Sequence, residues 1–246
     1  MVKTKLNNNM ATNKVVIEGS LDVTASQLSE FFRQIGNGNL KGFHIQKLLD
    51  HEDPFGLHNL NDKRIWAHVY RLCGVEFSFH KCNWDIKPGE WIIPVDVGMT
   101  PSRIVEAMRG LGVQFKLCGE DLDAHLLNDR QASGMGPYLV NFRTRVESEE
   151  EFESLSVNSL KEKSICGITL TERLLLEFAF YLLTGKHLDN SQMTLCSGSV
   201  YNLIQGHRVP VVCYENMRVN IGIVNPFESW KKLCTRKVTS IHLIRI

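Results

Sequence analysis

Between Thr169 and Gly185 the chain reads TLTERLLLEFAFYLLTG, and no other stretch constrains the fold as strongly. Thr169 and Glu172 have the spacing of a capping box, in which each side chain satisfies a backbone N–H at the start of a helix. Gly185 stands where a left-handed residue closes one. Between these signals lie Leu174, Leu175, Leu176, Phe178, Ala179, Phe180, Tyr181, Leu182 and Leu183. A helix that is apolar on most sides belongs inside a protein. Each large side chain fully buried there contributes about 1.5–3 kcal/mol from desolvation. The rest of the chain is therefore expected to wrap around this helix.

The chain has 246 residues, 43% of them hydrophobic, enough for one large domain or two small ones. Charged residues make up 22% and the formal net charge is +1, which argues against nucleic acid or an anionic membrane surface as partner. No stretch approaches the roughly 18 uninterrupted apolar residues of a membrane-spanning helix. The opening residues are polar and rich in Asn, without the apolar run of a secretory signal. Residues 1–13 read as a disordered tail and the expected location is cytoplasmic. Seven cysteines are present, an odd number with no C-x-x-C pair, so reduced and packed thiols are expected rather than disulfides or structural zinc.

Residues 14–62 read as a small N-terminal helical hairpin. Val15-Val16-Ile17 enters as an extended segment. Leu28, Phe31, Phe32 and Ile35 then share one helical face, and a second amphipathic stretch runs from Leu40 to Leu49 beyond a Gly/Asn break. Residues 63–246 read as an α+β domain. Ile65 to Phe79 alternates in the manner of one or two strands. Trp91 to Val97 reads as a strand that Pro94 confines to an edge or bulge. Thr100-Pro101 starts a helix that ends at Gly110, Val113 to Leu117 follows as a strand, and Glu120 to Asn128 reads as a helical turn. The three elements from Trp91 to Leu117 suggest one compact α/β unit. Tyr138 to Phe142 is another strand, and the five glutamates of Glu147 to Glu153 read as a solvated face or linker. After the central helix, short strands at Thr194–Cys196, Arg208–Tyr214, Met217–Val224 and Val238–Ile244, with a turn near Glu215-Asn216, predict an antiparallel, loop-rich sheet.

Several groups invite chemistry. Asp121, Asp123 and Asp129 could hold a divalent cation through hard oxygen ligands, which would make the protein a metal-dependent hydrolase or nuclease. His187 and Asp189 could share a proton, although cations also favour a helix C-terminus without any chemistry. Cys196 and Ser199 lack the turn and the base of a nucleophile, and a buried thiol is the simpler account. His68, Cys73, His80 and Cys82 have weak zinc spacing. Lys231, Lys232, Arg236 and Lys237 beside Trp230 form a compact basic group suited to single-stranded nucleic acid or simply to solvent. No metal or cofactor is expected on balance. A structural or regulatory subunit that docks through its N-terminal hairpin is a further alternative.

Phe142-Arg143-Thr144-Arg145-Val146-Glu147, the stretch from Gly167 to Glu177, Thr184-Gly185-Lys186-His187-Leu188-Asp189 and Thr194-Leu195-Cys196-Ser197-Gly198-Ser199 resemble a family of uncharacterised proteins from uncultured bacteria, over residues 91–246. The order of elements is also similar to the C-type-lectin-like fold of formylglycine-generating-enzyme relatives, some of which are variable proteins of diversity-generating retroelements. Val209 to Tyr214, Val219-Asn220-Ile221, Asn225-Pro226-Phe227 and Leu233 to Arg236 resemble the framework of such variable segments. That resemblance implies a non-catalytic binding protein for an unknown protein or small ligand. Its recognition positions would be Tyr201, Asn202, Tyr214, Glu215, Asn216, Asn220, Phe227, Glu228 and Trp230. The oxidative activity of formylglycine-forming relatives is not implied, because no matching cysteine pair is found.

Overall fold

A computed structural model describes residues 14–17, 21–37, 60–119 and 121–244. The chain divides into two compact units, Met1–Gly56 and Leu57–Ile246. In the first, strands β1 (Lys14–Ile17) and β2 (Leu21–Thr24) pair antiparallel, and helix α1 (Ala25–Gly36) follows directly. The expected tail and the second helix of the hairpin lie outside the described residues.

The second unit is α+β. It opens on helix α2 (Lys63–Leu72), where the alternation had predicted strands. Its buried residues Ile65, Trp66, Val69 and Tyr70 are spaced i, i+1, i+4, i+5, a helical stripe in which adjacent residues share a face as no strand allows. Asp62 settles the choice by accepting from the Arg64 N–H as N-cap. Trp66 Nε1 donates to the Leu60 carbonyl at 2.6 Å and Tyr70 Oη to the Pro94 carbonyl at 3.0 Å, so both large side chains are buried with their polar atoms partnered.

Strand β3 (Glu90–Val95) leads to helix α3 (Pro101–Gly110), whose Thr100 cap and Pro101 start match the sequence reading. Strand β4 (Phe115–Leu117) follows, then β5 (Leu126–Asn128) in place of the expected helical turn, the short helix α4 (Ala132–Met135) and β6 (Tyr138–Arg143). Helix α5 (Val157–Glu162) precedes the central helix α6 (Leu170–Thr184). Strands β7 (Met193–Leu195), β8 (Ser199–Leu203), β9 (Gly206–Glu215), β10 (Arg218–Val224), β11 (Leu233–Cys234) and β12 (Val238–Leu243) complete the chain.

These strands form two sheets. The smaller has the order β12-β6-β3, all antiparallel, with the Pro94-bearing strand at its edge as Pro requires. The larger runs β11-β7-β9-β10-β4, with β8 paired to the start of β9 and β5 to β8. It is mixed rather than purely antiparallel, because β4 joins β10 and β11 joins β7 in parallel. Strands β3 and β4 thus enter different sheets, and the expected compact α/β unit around α3 does not form.

Helix α6 packs against α2, α3, β3 and β9, and every residue from Leu170 to Phe180 is buried. The capping box is formed in full, and Gly185 closes the helix at φ 65°. A second, smaller apolar cluster, including Val157, Leu160, Leu195, Val209, Val224 and Leu233, lies beneath α5 and the β9–β10 ladder. Among the described residues no helix is long and apolar enough to cross a membrane.

Candidate functional site

The helix that reads as apolar also buries Glu172, Arg173 and Glu177. Glu172 closes the capping box and at the same time receives Arg130, whose Nε and Nη2 donate to its two oxygens at 2.9 and 2.7 Å, while Tyr138 Oη adds a bond at 2.9 Å. Burial pushes the Tyr138 hydroxyl well above its ordinary pKa, and the Glu172 charge adds to that. The phenol therefore stays protonated as a donor.

Arg173 reaches Asp189 through Nε at 2.9 Å and Glu177 through Nη1 at 2.8 Å. Arg236 donates to the other Asp189 oxygen at 2.7 Å, the Ser148 N–H joins it at 2.9 Å, and the Thr194 hydroxyl donates to the oxygen shared with Arg173. Burial alone would raise the Asp189 carboxyl; Arg236 and Arg173 overcome this and hold it below the ordinary aspartate range. His187 Nδ1 lies 2.7 Å from Glu177, and its ring is stacked on Tyr181 and Tyr214. The pair that invited proton-sharing chemistry, His187 and Asp189, is thus tied into separate structural bonds. Cys196, fully buried beside this cluster, has its thiol pushed far up by desolvation, which removes it as a nucleophile.

Arg236 was read as part of a basic surface group, and it is instead 2% exposed. Glu149, read as solvated, is also 2% exposed and accepts from the Lys237 N–H at 2.5 Å. The aspartates are likewise occupied: Asp121 accepts from the N–H groups of Asp123 and Ala124, and Asp123 from that of Ser102. Asp123 lines one small cavity of about 150 Å³ and Asp129 lines another, so the two do not share one. Among the described residues no group of three His, Cys, Asp or Glu could hold a metal ion, and the His68–Cys82 set does not assemble.

The positions implied by the lectin-like resemblance fall into two places. Glu215, Asn216 and Asn220 belong to the tip of the β9–β10 hairpin, where Asn216 and Met217 have φ of 54° and 59° and Asn220 bonds back to the carbonyls of Glu215 and Arg218. Tyr214 stacks on His187 with ring centroids 3.9 Å apart. Phe227, Glu228 and Trp230 follow the far end of β10, on the order of 20 Å along the strand from that tip. Asn202 pairs with His207 beside the β8–β9 turn and does not line the cavity described below. Tyr201 is 4% exposed and donates to the Leu122 carbonyl at 2.8 Å, a buried anchor rather than a surface group.

At that far end lies a cavity of about 490 Å³, bounded by Val157 and Lys161 of α5, Ser199 and Val200 of β8, Arg208 of β9, and Phe227. Register explains its position. Leu203 pairs with Gly206 and Val209 with Val224, so the β8–β9 turn and the loop after β10 emerge side by side. The Val157 N–H bonds the Pro226 carbonyl at 3.1 Å and brings α5 over them. Gly198 makes the neighbouring close approach: a Cβ there would stand 2.7 Å from the Gly167 carbonyl oxygen. Sequence reading missed Lys161 and Arg208, since nothing in their local patterns links a six-residue helix to the start of a strand. No family model, curated protein or solved structure matches the chain.

Proposed function

We propose that the chain is a non-catalytic ligand-binding protein that reads its ligand with the loops around the cavity at the Phe227 end of the sheet. The supporting observation is the contrast in exposure there: Phe227 is 76% exposed on the wall of a cavity whose floor belongs to a packed apolar cluster. A pocket of this size, with apolar walls beside convergent polar and charged groups, suits a small ligand. The capped helix ahead of a loop-rich end is also consistent with a lectin-like arrangement. In that reading, Asn202, Phe227, Glu228 and Trp230 are the adaptable positions and α6 is the support.

Screening isotope-labelled protein against a fragment set tests this by NMR. Saturable shifts are expected at residues 197–209 and 225–227, with the hairpin tip at Asn216 unmoved. Shifts confined to the tip would overturn the proposal. So would hydrolysis of phosphodiester or ester substrates that is lost on Asp121→Asn.

A further inference from the structure

We propose that this cavity takes a carboxylate carried on an apolar, ring-sized body. The inference rests on the preceding reading of the cavity as a ligand site and names the class of ligand. Lys161, Arg208 and the imidazole of His207 line it, against one carboxylate, Asp129. Neither Lys161 nor Arg208 forms an ion pair among the described residues, and the Arg208 guanidinium donates to the His207 carbonyl at 3.0 Å. The cavity therefore presents cationic groups that the fold has not used.

Asp129 forms no ion pair with either of them among the described residues. Its N–H bonds the Gly198 carbonyl at 2.8 Å, whereas Arg208 pairs with Tyr201, three residues further along β8. At about 3.3 Å per residue the two backbones are on the order of 10 Å apart. A guanidinium in such a cavity matches a planar carboxylate with two parallel bonds. Val157, Val200, Val209, Pro226 and Phe227 supply the walls for the body. The same chemistry arises from a free aromatic acid or from the C-terminal residue of a peptide.

The probes are 3-phenylpropionate, its amide, 3-phenylpropylamine, and acetyl-Ala-Ala-Phe with a free or an amidated C-terminus. Binding is followed by NMR shifts at Val209 and Phe227 on the full chain. The acids are expected to bind about tenfold or more tightly than the amides, as a charge-assisted bond implies. Arg208→Gln and the exposed Lys161→Gln should each reduce that preference without lowering the melting temperature. A preference for the free acid over the peptide acid, or the reverse, identifies the source and supports the class. Equal binding of acid and amide, or tighter binding of the amine, overturns the carboxylate assignment while leaving the cavity a ligand site. No shift with any probe overturns both.

Discussion

Arg173 and Arg236 lie inside the protein with both oxygens of Asp189 turned toward them, whereas Arg208 and Lys161 face a cavity and have no ion-pair partner among the described residues. The side-chain chemistry is the same in the two regions. What differs is whether the fold has already supplied the counter-charge. Around Asp189 the desolvation of several ions is offset by short bonds, and that arrangement serves position: it ties the end of α6 to the strand β7 and to the segment before β12. Around the cavity the cations have no ion-pair partner among the described residues, and in the proposed function a bound molecule supplies it. A titratable group in a core is thus a weaker sign of function here than an unpaired one at a cavity mouth.

Asp189→Asn is the sharpest way to break the comparison. It leaves two buried guanidinium groups short of charge and should cost about 3–5 kcal/mol in urea unfolding. Gly198→Ala strikes the boundary between the regions, because its Cβ would press on the Gly167 carbonyl oxygen at 2.7 Å. A loss of about 1–3 kcal/mol is expected, together with displaced resonances for Ser197 and Ser199 on the cavity side. A third test is pH. The folded pKa of Asp189 lies below its unfolded value, so its contribution is present above about pH 4 and is lost as pH falls through the folded value. Glu149 has the opposite sign: burial raises its carboxyl, so its contribution declines as pH rises through the folded value. Asp189→Asn should therefore lose less stability than the parent protein between pH 4 and lower values; an identical acid limb would remove Asp189 from the account. The smallest effect is expected at the open site, where Arg208→Gln should change stability by no more than about 0.5 kcal/mol.

Local signals were legible wherever a short-range physical rule applied. The Thr169–Glu172 box, the Gly185 closure, Pro101 behind Thr100 and the edge position of the Pro94 strand all follow from backbone donors satisfied within a few residues. The α2 segment was misread because the alternation nearer Phe79 was carried back over it, although Ile65, Trp66, Val69 and Tyr70 have helical spacing and Asp62 caps the helix. The candidate site was legible in part. Phe227, which lines the cavity, was among the expected recognition positions, and it came from the lectin-like resemblance rather than from any pattern in composition. Lys161 and Arg208 carried no local sign at all.

The sequence by itself determined that a long capped helix would be buried and that short strands would surround it, because capping and hydrophobic burial depend on neighbours a few positions away. The tertiary structure alone decided the fate of the charges. Arg236 meets Asp189 from 47 residues away and Arg130 meets Glu172 from 42, while β4 and β10 join in parallel across the whole central helix. Whether a guanidinium becomes a buried brace or an open binding group depends on which carboxylate the fold brings to it, and that is a property of packing over long separations rather than of any local run of residues.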